Sequence, residues 1–305
     1  MTVARGPRVV AIGGGHGLSI SLRAVRRYAG EVTAVVTVAD DGGSSGRLRS
    51  GLGIHPPGDI RRCLLALVPR RSIWAELFDY RFSESDVEGH SLGNLLLAAL
   101  ADLEGDFEEG VSAAARLLGA EGRVIPVARE PLRLSAQVGG RPVEGQAEIS
   151  KARGDIESMT LKPEGATGSP RALAAIADAD QIVIGPGSLY TSVVAALMVP
   201  GVADAVNASP ASKAFVLNLV TQDGETLGLD GSAHLRALSA LAGIEGPGAI
   251  VGHRGPLRVP PGLQRLEAPA DGSGWIPVEA DLNDPEGDWP AHDPEKLGPI
   301  LQSLV

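Results

Sequence analysis

Cysteine is almost absent: Cys63 stands alone in 305 residues, which excludes an intrachain disulfide and any zinc site built on several thiolates. Aromatic residues make up only 3%, too few for the stacking platforms that hold single-stranded nucleic acid. Positive charge is also in deficit. A formal net charge of -10 disfavours a phosphate-backbone partner, although a few local arginines can still reverse the potential inside one cleft. Long apolar runs are missing as well. The amino-terminal MTVARGPRVVAIGGG has only a short apolar run before its glycines, too short for a secretory core, and no stretch reaches the roughly twenty apolar residues of a membrane span. The expectation is a soluble, cytoplasmic protein with neither nucleic-acid nor membrane partners.

What is present is 44% hydrophobic residue content, enough Ala, Val, Leu and Ile to fill the core of one large α/β domain. Residues 8–12 (RVVAI) read as a strand, Gly13, Gly14, Gly15 and Gly17 as a turn, and Leu18, Leu22 and Val25 as one helix face at i, i+4 and i+7. Residues 32–38 read as a second buried strand, so the pair is parallel with a right-handed crossover. Helices are predicted over 58–68, 91–100, 106–118, 171–177 and 231–242, with another beginning at 191–198. A last helix over 294–305 takes Asp293 as N-cap. Further strands are predicted over 181–184, 214–219 and 249–251. Between 123 and 162, alternating apolar and polar residues separated by turns predict an antiparallel lobe inserted into a single domain covering 1–305. The Pro-, Gly- and Asp-rich tail over 255–291 reads as a surface wrap. The fold class expected is Rossmann-like α/β: a mostly parallel sheet, helices on both faces, and a small antiparallel insertion.

Four constellations could carry chemistry. AIGGGHGLS (11–19) lets the backbone approach a phosphate and leaves helix N–H groups to bind it, so Gly13, Gly14, Gly15, His16, Gly17 and Leu18 are candidate ligand contacts. Gly13 and Gly15 fit the dinucleotide fingerprint, but Leu18 replaces its third glycine. TVADDGGSSGRLR puts Asp40 and Asp41 at a strand end, followed by Gly42. Either acid could accept a ribose hydroxyl, or Asp40, Asp41 and Asp59 could ligate Mg²⁺ beside a phosphate; the residues leave that choice open. In GHSLGNLLLAAL, Ser91 lacks a nucleophile elbow and stands at a helix N-cap, while Asn94, one turn in, can reach a cleft. IVIGPGSLYTS repeats the strand–turn–helix unit, making Gly185, Pro186, Gly187, Ser188 and Thr191 candidates, and Asn218 and Thr221 should reach the same edge. His253 and Arg254 read as surface residues, His55, His234 and His292 show no metal-ligand spacing, and Trp289 reads as part of a packed turn.

Taken in order, GGGHGLS, TVADDGGSSGRLR, PPGDIRRCLLAL, GHSLGNLLLAAL, IVIGPGSLYTS and NLVTQDGET resemble the YvcK-type gluconeogenesis factors, which group with the 2-phospho-L-lactate transferases in a CofD-like superfamily. The resemblance implies a regulator that binds a UDP-sugar such as UDP-N-acetylglucosamine. Its role would lie in cell shape and wall synthesis during growth on gluconeogenic carbon sources. The pyrophosphate would lie across Gly13–Gly17 and Gly185–Ser188, with Asp40 or Asp41 on ribose or metal and Asn94, Thr191 and Asn218 as orienting groups. A homodimer and cell-wall enzymes are the partners to expect. The alternative it implies is a Mg²⁺-dependent transferase resembling the phospholactyl cousins. The chain departs from the family pattern at His16, where Thr is common, at Arg62, where Asn is common, and at Ala291, where relatives often carry Arg.

Overall fold

A computed structural model describes residues 6–42, 45, 46, 48, 54–70, 72–84, 86–270 and 274–305. The chain enters as β1 (Arg8–Gly13), turns into α1 (Gly15–Val25) and returns as β2 (Glu31–Val36). Then come α2 (Pro57–Ala66), α3 (Ile73–Asp79), α4 (Leu92–Glu104) and α5 (Phe107–Leu118), followed by β3 (Arg123–Pro126). The insertion consists of β4 (Arg133–Val138), β5 (Arg141–Glu144), α6 (Gln146–Lys151) and β6 (Ile156–Lys162). The second half begins with α7 (Pro170–Ala177) and β7 (Gln181–Ile184). A π-helical turn, Leu189–Val194, continues as Ala195–Leu197. After it come α8 (Val202–Ala208), β8 (Ser212–Val216), α9 (Gly231–Ala242), β9 (Gly248–His253), β10 (Trp275–Ala280) and α10 (Pro294–Gln302).

Seven strands form one sheet in the order β10-β9-β8-β7-β1-β2-β3, every pairing parallel. Because successive side chains point to opposite faces, Val10, Ile12, Ile182 and Ile184 enter one core while Val9, Ala11, Val36 and Val183 enter the other. Leu18, Leu22, Ile60, Leu64, Leu97 and Leu297 from α1, α2, α4 and α10 cover the second face. Ile176, Val193, Val202 and Leu235 from α7, the π-helical turn, α8 and α9 cover the first. Both faces being covered, the central strands are mainly apolar, with Thr33 and Gln181 as buried polar exceptions. No single helix among the described residues is long and apolar enough to cross a membrane.

The structure differs from the sequence expectation in several places. VIPVA (124–128) begins as edge strand β3 of the parallel sheet, so the antiparallel unit is the three strands β5-β4-β6 and starts only at Arg133. The tail expected to wrap the surface supplies β10, which Pro277 suits to an edge because it has no N–H to donate. His253 is buried, its Nδ1 accepting from Leu282 N at 3.0 Å, whereas Arg254 is exposed as expected. Asp293 caps α10 through its side chain, as its position predicted.

Chain order and spatial order set the site. From β1 the sheet grows to β2 and β3 on one side, then restarts at β7 on the other side of β1. The switch point therefore lies between the carboxyl ends of β1 and β7, where open α/β sheets bind ligands.

Candidate functional site

The glycine turns after β1 and β7 cross at that point. Gly185 N donates to Ile12 O at 3.0 Å, and Ser21 Oγ donates to Gly185 O at 2.6 Å. A Cβ on Gly17 would stand 2.3 Å from Pro186 O, so only glycine permits this approach of the two backbones. Asn218 fixes the second turn by gripping Gly187 at both ends. Its Nδ2 donates to Gly187 O at 2.7 Å, and its Oδ1 accepts from Gly187 N at 3.1 Å.

In front of the first turn lies a cavity of about 430 Å³ reached by Gly14, Gly15, His16 and Gly17. Among the described residues its charged lining is Arg61, Arg62, Arg81, Asp40 and Asp59. Gly14 is the N-cap of α1 and has no side chain with which to satisfy the helix amides. Asp59 fills that role: it is buried, pairs with Arg62 at 2.9 Å and accepts from the Gly15 N–H. Burial first, and then the charge of Asp40, push its carboxyl up to about 6, while Arg62 and the Gly15 amide pull the other way. Arg61 is buried and anchored to Asp79 at 2.7 Å and to Phe78 O at 3.2 Å. His16 stands on the rim; partial desolvation, followed by Arg62 and Arg61, lowers its pKa and favours the neutral ring. A second chamber of about 720 Å³ shares His16, Gly17, Gly187 and Gln222 with the first and extends toward Leu219, Thr221 and Trp289. A groove of about 670 Å³ at the other end of β1, β2 and β3 carries mutually paired charges such as Arg123–Glu31 and reaches neither glycine turn.

The predicted site residues divide. Gly14, Gly15, His16, Gly17, Asp40, Gly42, Asn94, Gly187 and Ser188 line the smaller cavity, and Pro186 and Asn218 line the larger chamber. The others do not. Gly13 and Gly185 are buried behind the turns, and Leu18 is a core residue at 0% exposure because it opens the apolar face of α1. Asp41 turns from the cavity to cap α6, accepting from Gln146 N at 3.1 Å and Ala147 N at 2.9 Å. Thr191 is buried and donates to Glu225 Oε1 at 2.6 Å, while Glu225 Oε2 takes the Tyr190 and Thr191 amides. Ser91 occupies an N-cap position, yet its hydroxyl donates to Phe78 O. Arg47 and Arg49 of the acidic loop lie outside the described residues.

Sequence reasoning missed Arg61, Arg81, Gln146 and Gln222 as cavity residues. The first was legible in principle, since Asp59, Arg61 and Arg62 share one end of a helix. Gln146 carried no signal, because it comes from the insertion and reaches the cavity only through tertiary packing.

For Mg²⁺ the donor set is smaller than expected. Asp40 and Asp59 line one cavity and Asp41 is committed elsewhere. No group of three or more His, Cys, Asp or Glu is placed for a metal among the described residues. Two carboxylates still suit an ion that keeps several waters; Asp59 is raised first by burial and then by Asp40, and a cation between the two would relieve the second of these.

Comparison with known proteins agrees with this fold. A family described as 2-phospho-L-lactate transferase CofD matches residues 9–281. The gluconeogenesis factor of Bacillus subtilis is 43% identical over 235 residues, 76% of this chain and 74% of that protein. A Mycobacterium tuberculosis relative is 39% identical over 310 residues, covering 97% and 90%. A Nostoc relative is 48% identical over 241 residues, 78% of this chain, so the chain spans about half of that protein, 53%. A crystal structure of a Bacillus halodurans protein superposes with a TM-score of 0.92 at 36% identity, covering 97% of this chain and 99% of that one.

Proposed function

The chain belongs to the CofD family, among the gluconeogenesis factors, and from that premise we propose that it binds a UDP-sugar such as UDP-N-acetylglucosamine and regulates carbon and wall metabolism. The observation that carries the reading is the cavity at the β1/β7 switch point, where helix amides meet Arg61, Arg62 and Arg81. Helix amides and arginine forks are what a diphosphate requires. The pyrophosphate belongs at Gly14–Gly17 and the arginines, not at Thr191. Asn218 acts by holding Gly187 in place. Calorimetry tests this directly: UDP-N-acetylglucosamine should bind the wild type, and Arg62→Ala should weaken it by about tenfold or more. No heat from the wild type at millimolar ligand would end the proposal.

Asp40 and Asp59 sharing one cavity favour a second reading, a Mg²⁺-dependent transferase acting on a nucleotide-diphosphate-linked donor. They would hold the ion, which when bound supplies charge neutralisation at a diphosphate leaving group. In that case Arg62 orients the same diphosphate and Asn94 lies within the cavity to position an acceptor. Mg²⁺-dependent turnover of a nucleotide-linked donor, lost in Asp40→Asn, would replace the regulator reading with this one.

A further inference from the structure

The larger chamber contrasts with the cavity beside it. Its walls include Leu219, Leu227, Leu263 and Trp289. In a chain with 3% aromatic residues, Trp289 stands 59% exposed on this wall, and Leu227 stands 46% exposed. Large hydrophobic groups left in water beside a charged cavity are the mark of a ligand surface rather than of a packed turn. His292 also lines the chamber, but its ring is buried, donating to the Leu217 backbone with Nε2 closed off from solvent. The chamber therefore combines apolar walls and one indole face, and it opens through His16 and Gly17 onto the arginine-lined cavity.

We propose that this chamber holds the nucleoside end of the diphosphate ligand, with Trp289 and Leu227 packing on the base. The inference rests on the nucleotide-sugar reading above and deepens it by assigning the base. Stacking on an indole face tolerates different bases, so Trp289 sets affinity for the nucleoside.

Titration of wild type, Trp289→Ala and Trp289→Phe with UDP-N-acetylglucosamine, UDP and inorganic pyrophosphate tests it. Trp289→Ala should weaken UDP and the UDP-sugar by about tenfold or more, with pyrophosphate affinity changed less than about twofold, and Trp289→Phe should recover most of the loss. Tryptophan emission should also respond to UDP in the wild type and lose that response in Trp289→Phe. If Trp289→Ala binds UDP and the UDP-sugar like the wild type, the assignment of the chamber is overturned while the nucleotide-sugar reading stands. Equal weakening of all three ligands, pyrophosphate included, also overturns it. A wild type that binds neither nucleotide removes both.

Discussion

After β1, helix α1 starts at Gly14 facing a cavity, and the carboxylate against its first amides is Asp59, raised to about 6 by burial and by Asp40. After β7, the π-helical turn starts at Leu189 facing the protein interior, and its amides are taken by Glu225, a carboxylate that also accepts from Thr191 Oγ1 and Ser150 Oγ. The local pattern of strand, glycine turn and helix is the same in both. What differs is the resident anion. Glu225 is held by two amides and two hydroxyls and locks its turn. Asp59 keeps its charge at a cost and has Arg62 beside it, so a phosphate that takes over the amides and the guanidinium displaces an anion already disfavoured there. A glycine turn at a strand end thus marks where the backbone can receive an anion. Whether the protein has already supplied one depends on residues far away in the chain.

The largest expected effect comes from breaking the locked turn. Glu225→Ala strips partners from two buried amides and two hydroxyls, and should cost about 3 kcal/mol or more in urea unfolding. Next is the crossing of the turns. Gly17→Ala places a Cβ 2.3 Å from Pro186 O, which forces the backbones apart at about 2–3 kcal/mol. Gly15 has open space around its Cβ position but sits at φ +65, so Gly15→Ala should cost only about 1 kcal/mol. Equal losses at the two positions would mean that the close approach of the turns is not what requires glycine.

The charge on Asp59 gives a pH test of the open turn. Its folded-state value, about 6, lies above its ordinary 3.8, so between these values the folded protein binds the proton more tightly than the unfolded chain. The stability contribution of this group is therefore greatest below about pH 4 and is lost as pH rises through about 6. Urea midpoints of the wild type should carry that downward contribution, on the order of 3 kcal/mol, and Asp59→Asn should remove it. An unchanged slope in Asp59→Asn would show that the carboxylate is not under strain.

Much of this was legible from sequence, and the gaps have physical causes. The hydrophobic runs at 8–12 and 181–184 and the helix at 231–242 identify their elements because burial on both sheet faces leaves a continuous apolar run, and burial on one helix face leaves a period. Gly14–Gly17 were readable as a turn that lines a cavity because glycines after a buried strand leave the backbone open at the sheet edge. Asp41 and Thr191 were misplaced for a common reason. Each has a short polar side chain at the correct strand end, and each found a partner in a distant segment, Asp41 in α6 and Thr191 in Glu225. Trp289 was the opposite case, a residue read as packed because its proline-flanked setting looks like a turn, yet left on the wall of the larger chamber. Local patterns fix elements and backbone donors; they do not show which side chains are already engaged across the fold.

The smallest effect decides the comparison most cleanly. Thr191→Val keeps the shape of the side chain and removes only the hydroxyl that donates to Glu225 at 2.6 Å. Glu225 retains the Tyr190 and Thr191 amides and the Ser150 hydroxyl, so the loss should be about 1 kcal/mol. If the second turn is locked by Glu225, that stability loss arrives with unchanged affinity for UDP-N-acetylglucosamine, because the Thr191 hydroxyl faces a carboxylate and not the cleft. If Thr191 instead serves the ligand, affinity falls by about tenfold while the urea midpoint stays in place. The two readings assign one hydroxyl to different partners, and a single variant measured in both assays separates them.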